Sequence, residues 1–168
     1  DLCAFLTLLN LVIIWPTNSG SRASPFLNLA NNLKQLNTDI FSSKEEEAEI
    51  LKGRREIDRG RYMEASGKSL DVDSRRLLDS GKLIQIRPHT RFIHFPSHTH
   101  NYVEVIYMCS GQTTHIVNGD EVVLKQGELL FLSQKAVQEI YPATEEDVAV
   151  NFIILPEFFD QALYMIGA

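Results

Sequence analysis

From residue 83 to residue 155 apolar side chains recur at every second position, and this pattern constrains the fold more than anything else in the chain. Successive side chains of a strand point to opposite faces, so a period of two marks half-buried β structure. The runs 83–87, 102–109, 113–117, 121–124, 128–133, 137–141 and 148–155 are short and rich in β-branched or aromatic residues. Turn-forming pairs separate them: Pro96-Ser97, Ser110-Gly111, Asn118-Gly119, Gln126-Gly127 and Pro142-Ala143. Asn118-Gly119 is the sharpest signal, because both residues tolerate the positive φ of a type I′ hairpin. Seven short strands joined in this way predict an antiparallel sandwich or barrel.

The 168 residues hold one such domain plus about 60 to 80 residues of appendage. Ahead of it the sequence predicts helices. Ser24-Pro25 can cap a helix with an apolar stripe of Phe26, Leu29, Leu33 and Leu36. Ser43 and Glu46 have the spacing of a capping box, acids crowd the first turn, and Lys52, Arg54 and Arg55 follow late. Interleaved signs make that charged run read as a solvated helix face rather than an interaction tail. ASGKSLDVDS then reads as a linker. Residues 1–23 are an apolar leader of uncertain origin. Its run from Leu2 to Trp15 falls short of the about 20 residues that span a bilayer and lacks the grammar of a signal peptide. The expected organisation is therefore leader 1–23, helical extension 24–82, barrel 83–155, and the start of a C-terminal helix at 156–168. Pro156 opens that helix, with Phe159, Leu163 and Ile166 at helical spacing, and a chain that begins without Met and stops there reads as a fragment.

A net charge of -6 without a basic run makes the chain a poor nucleic-acid binder by itself. Two cysteines, Cys3 and Cys109, form no C-x-x-C pair, which fits a reducing cytoplasm.

His98, His100 and Glu104 have the same parity, and Tyr102, Ile106 and Met108 share it. On one strand these six would face a barrel interior. Two imidazoles and a carboxylate converging there could hold a divalent metal. His98-x-His100-x3-Glu104-x6-Gly111 resembles the first cupin motif, and Gly119-x5-Lys125-x-Gly127 resembles the start of the second. The departures are specific. The glycine expected six residues before His98 is Phe92, the proline two before Gly127 is Lys125, and the second motif's histidine is Leu130. His115 is the nearest replacement ligand, but it has the wrong parity if Thr114 and Ile116 face inward.

The run HFPSHTHNYVEVIYMCSGQTTHIVNGDEVVLKQGELLFLSQKAVQEI resembles more closely the N-terminal effector-binding and dimerisation domain of AraC-type bacterial transcription regulators. The likeness covers about residues 83–166; at the family's late Pro-x-x-x-His the chain has Gln134 and Gln138. It implies an all-β, cupin-like jelly-roll barrel that binds a small molecule such as a sugar, pairs as a homodimer and reads DNA only through a C-terminal helix-turn-helix domain absent from these residues. On this reading the protein is cytoplasmic, with no membrane partner, cofactor or catalytic residue. The pocket candidates are His98, His100, Tyr102, Glu104, Ile106 and Met108. The alternative is a metal-dependent cupin dioxygenase or isomerase, with the metal on His98, His100 and Glu104. His89, His94 and His115 read as strand or loop residues, and Arg87 and Arg91 as clamps for an acidic effector or a loop. Tyr102, Ile106, Met108, Phe131 and Phe152 read more readily as core than as a binding box.

Overall fold

A computed structural model describes residues 12–16, 44–63 and 70–165. Ten strands form two five-stranded sheets, so the chain folds as a cupin jelly roll. The strands are β1 Val12–Pro16, β2 Asp71–Val72, β3 Ile84–Pro88, β4 Phe95–His100, β5 Val103–Ser110, β6 Gln112–Val117, β7 Asp120–Lys125, β8 Glu128–Leu132, β9 Gln138–Ile140 and β10 Val148–Ile154. One sheet has the order β1-β8-β5-β10-β3 and the other β2-β4-β9-β6-β7. All pairings are antiparallel except β2 with β4. Among the described residues four helices accompany them: α1 Lys44–Leu51, α2 Arg59–Tyr62, α3 Ser74–Leu77 and α4 Pro156–Met165. Among the described residues no helix is long and apolar enough to cross a membrane.

The β6–β7 hairpin turns at Asn118 (φ 53°) and Gly119 (φ 94°), with Val117 opposite Asp120, as a type I′ turn requires. Three strands were not legible in the sequence. Within the apolar leader, Val12–Pro16 pairs with β8, Ile14 opposite Leu130. The expected linker contains β2 and leads into α3, with Asp73 as N-cap accepting from the Arg75 amide. The expected Pro96-Ser97 turn lies inside β4. Its register with β9 shifts between Phe95 and His98, and such an irregularity frees Pro96 from the ladder.

His98 and Glu104 therefore do not share one strand. The chain bends at Asn101 and Tyr102, and β4 and β5 lie in different sheets. Phe92, at the position of the motif's glycine, has φ 65°, which is sterically costly for a side-chain-bearing residue. It packs against the core cluster, with the Arg91 guanidinium 5.0 Å from its ring centroid.

Between the sheets the core has two ends. Ile106, Met108, Val117, Leu124, Leu130, Leu132, Ala136 and Ala149 form one, predominantly apolar, with the Thr113 hydroxyl donating to Met108 Sδ at 3.6 Å. At the other, Phe95, Tyr102, Ile140 and Ile153 of the barrel pack against Ile50, Tyr62, Met63, Val72 and Leu77 from the N-terminal segment. The solvated-face reading of α1 fails here, since Glu46 and Glu47 are both buried. Arg91 binds both Glu47 oxygens at 2.7 and 2.9 Å, and the Tyr62 hydroxyl donates to Glu46 Oε2 at 2.7 Å. These partners lower the cost of desolvating carboxylates. The helix ends at Leu51, so Lys52, Arg54 and Arg55 lie beyond its last turn. The expected helix at 26–36 and the Ser43 cap lie outside the described residues.

Candidate functional site

At the mixed end of the core lies a cavity of about 50 Å³. Barrel strands supply Arg87, His98, Glu104, Gln138 and Asn151 to its wall and the bend between β4 and β5 supplies Tyr102, while Glu46, Tyr62, Val72 and Leu77 line it from the N-terminal segment.

Each polar side chain is held by a specific partner. Glu104 Oε1 accepts from Asn151 Nδ2 at 2.8 Å, and Asn151 Oδ1 accepts from His89 Nδ1 at 2.9 Å. The carboxylate thus fixes the amide, and the amide fixes the His89 tautomer. His98 Nδ1 donates to the Pro96 carbonyl at 2.8 Å, and His100 Nδ1 donates to the Tyr102 carbonyl at 2.6 Å. The His100 ring stacks on Tyr102 with centroids 4.5 Å apart. On β6, Thr113, His115 and Val117 face inward, which reverses the parity assumed from the sequence. His115 Nδ1 accepts from Gln138 Nε2 at 3.1 Å, leaving Nε2–H for Thr113 Oγ1 at 2.8 Å.

Burial governs the protonation states. It drives the imidazoles of His89 and His100 down to about 4 and that of His115 to about 3. His98 moves in the same direction for the same reason. These rings are neutral near pH 7. Burial pushes the Glu104 carboxyl up to about 7, with the Asn151 hydrogen bond opposing it. His100 Nε2 lies 4.0 Å from Glu104 Oε2. That gap exceeds hydrogen-bond range and the imidazole is neutral, so the two do not form an ion pair. Four buried acceptor atoms of this region lack a partner: Glu46 Oε1, Gln138 Oε1, His89 Nε2 and His100 Nε2.

Of the six pocket candidates, the structure places His98, Tyr102 and Glu104 on the cavity wall. His100 is buried but not on that wall, and Ile106 and Met108 sit in the apolar end of the core. No three His, Cys, Asp or Glu side chains among the described residues converge closely enough to hold a metal ion. Leu130, at the motif's histidine position, is fully buried among hydrocarbon. The donor set does not fit a cupin metal, and no chemistry is routed through one. His94 pairs with Glu139 near the surface, and Arg91 holds Glu47 and the Glu145 carbonyl. Arg87 does reach the cavity, donating to the Leu77 carbonyl at 3.2 Å.

Sequence reasoning missed Glu46, Tyr62, Gln138 and Asn151 as wall residues. Asn151 carried a signal, as the lone polar residue of an apolar strand, and Gln138 carried another, at the position of the family's late histidine. Glu46 and Tyr62 carried none, because their burial depends on barrel residues distant in the chain.

Residues 81–163 match the family model of the AraC-like ligand binding domain. No curated protein matches the sequence. Among solved structures, a cupin protein from Bacteroides fragilis is similar at 19% identity and a TM-score of 0.35, over 43% of this chain and 63% of that one. The Clostridium difficile EutQ protein is similar at 20% identity and a TM-score of 0.35, over 44% and 55%. A predicted oxalate decarboxylase from Thermotoga maritima is similar at 22% identity and a TM-score of 0.36, over 43% and 64%. The chain spans less than two thirds of the length of each of these proteins.

Proposed function

We propose, from the premise that residues 81–163 are an AraC-like ligand-binding domain, that the chain senses a small effector for a transcription regulator and performs no catalysis. The dimerisation and DNA-reading parts of that role would involve α4 and sequence outside these 168 residues. The observation that carries the reading is the origin of the cavity's walls, most of them from the barrel but one residue each from α1, α2, β2 and α3.

About 50 Å³ is room for a water or two. Small-molecule pockets usually hold about 300 Å³ or more. An effector of sugar size therefore competes with the N-terminal segment, and binding would shift Tyr62 and α2 away from the cavity. The free energy available to the switch is the difference in effector affinity between the packed and displaced arrangements. A metal-dependent reaction on His98, His100 and Glu104 would need those three side chains to converge, and among the described residues they do not.

The test is a thermal-shift screen of sugars, small acids and amines, followed by hydrogen exchange with the best stabiliser. Binding should raise stability by mass action and speed exchange in 44–63. A screen with no stabiliser, or binding that leaves exchange in 44–63 unchanged, refutes the proposal.

A further inference from the structure

We infer that the cavity is built for the head group of a small primary ammonium compound, with Glu46 and Glu104 as counter-charges and the Gln138 carbonyl as a third acceptor. This rests on the ligand-binding reading above and names the chemical class of the ligand.

Two acceptors of the lining lack a donor, while Arg87, the cation on the same wall, donates to the Leu77 carbonyl. Gln138 is fully buried and Glu46 nearly so, yet Gln138 Oε1 and Glu46 Oε1 have no hydrogen-bond partner. Most of the neighbouring donors are engaged: Asn151 Nδ2 on Glu104, Gln138 Nε2 on His115, and the Tyr62 hydroxyl on the other oxygen of Glu46. An ammonium brings three donors and no acceptor, which is the complement of such a lining. A polyol brings an acceptor with every donor and leaves those acceptors short of partners.

Charge points the same way. Among the described residues, neither Glu46 nor Glu104 has a Lys or Arg nitrogen within 4.0 Å. Glu47, also buried and one residue along α1 from Glu46, is satisfied by Arg91. A buried carboxylate without a cation is costly, so the cavity gains from a ligand that supplies one. An anion would face both carboxylates, with Arg87 alone to offset them. Tyr62, Phe95 and Tyr102 add ring faces to the lining, and these also favour a cation. The volume of about 50 Å³ suits the head group alone, and a longer tail would leave through the mouth.

Ethylammonium chloride is the probe, titrated into the 168-residue chain by calorimetry and thermal shift. Ethylene glycol serves as the neutral control, sodium acetate as the anionic one, and sodium chloride matches ionic strength. Ethylammonium should bind saturably while the controls do not, and Glu46→Gln or Glu104→Gln should each weaken binding by about tenfold or more. The unliganded melting curve of each variant reports whether it folds. Should Glu104→Gln fail to fold, Glu46→Gln and Gln138→Met carry the test, the latter removing the third acceptor. The inference is overturned if ethylene glycol binds as well as ethylammonium, or if folded variants bind ethylammonium unchanged. Binding of a sugar but not of ethylammonium sinks it while leaving the sensor reading intact; if no class of compound binds, both fall.

Discussion

Acidification should unfold this protein from its core, because the barrel interior buries histidines as neutral rings. An imidazole titrating near 6.5 in the open chain and near 4 when folded binds its proton first in the unfolded state. Stability from such a group is complete above pH 6.5 and is lost as pH falls toward 4, and for His115 toward 3. Glu104 works against this. Its carboxyl is raised from 4.5 to about 7 on folding, so the folded state holds that proton more firmly, and its contribution is present below 4.5 and lost as pH rises through 7. On unfolding, the net uptake by the three rings and the one carboxyl grows from about one proton at pH 6.5, where an open-chain imidazole is half protonated, to about two at pH 5. At about 1.4 kcal/mol per proton per pH unit, the loss of stability steepens from about 1 kcal/mol per unit at pH 6.5 to between about 2 and 3 at pH 5. His98, shifted in the same direction, steepens the loss. That rivals a large part of the about 5 to 15 kcal/mol that holds a domain folded. Urea unfolding followed by circular dichroism, at intervals from about pH 5 to about pH 7.5, measures the slope. Glu104→Gln removes the opposing carboxyl and should steepen the decline by about 1 kcal/mol per unit. Stability that is flat over the interval, or a shallower slope in Glu104→Gln, refutes the reasoning.

Leu130→Ala should cost about 3 to 5 kcal/mol in urea unfolding, since the side chain is fully buried in the apolar end of the core. Gly111→Ala should cost about 2 kcal/mol or more; φ is +71° there, and a Cβ would run into the Asp147 side chain and lie 3.0 Å from that residue's Cα. The same change would disturb Asp147, whose carboxylate accepts from the amides of Gln112 and Thr144, so the loss should show as a lower melting temperature. Tyr62→Phe should have opposite effects on two measurements. Losing the hydroxyl that donates to Glu46 should cost about 1 to 3 kcal/mol of stability. A loosened mouth should also tighten binding of whichever compound displaces the N-terminal segment, measured by calorimetry.

The barrel was legible because its strands alternate and its turns use residues suited to positive φ, above all Asn118 and Gly119. β4 was hidden because Pro96 reads as a breaker, and only the irregular pairing with β9 lets the strand run through it. The N-terminal part of the cavity wall was hidden for another reason. Charge patterning treats Glu46 as a surface residue, and the tyrosine that buries it is 16 positions away. His115 was misplaced because the alternation of β6 was counted from the wrong residue, and nothing local decides between two faces that both carry β-branched side chains. Leu130 was informative in the sequence and remains so in three dimensions, packed where a ligating ring would need polar company.

The family match begins at residue 81, yet Glu46, Tyr62, Val72 and Leu77 all precede it. A protein trimmed to the recognisable module would keep the staves of the barrel and discard its stopper. Affinities measured on that shortened form would describe an open cup, and any preference imposed by residues 46 to 77 would go unseen.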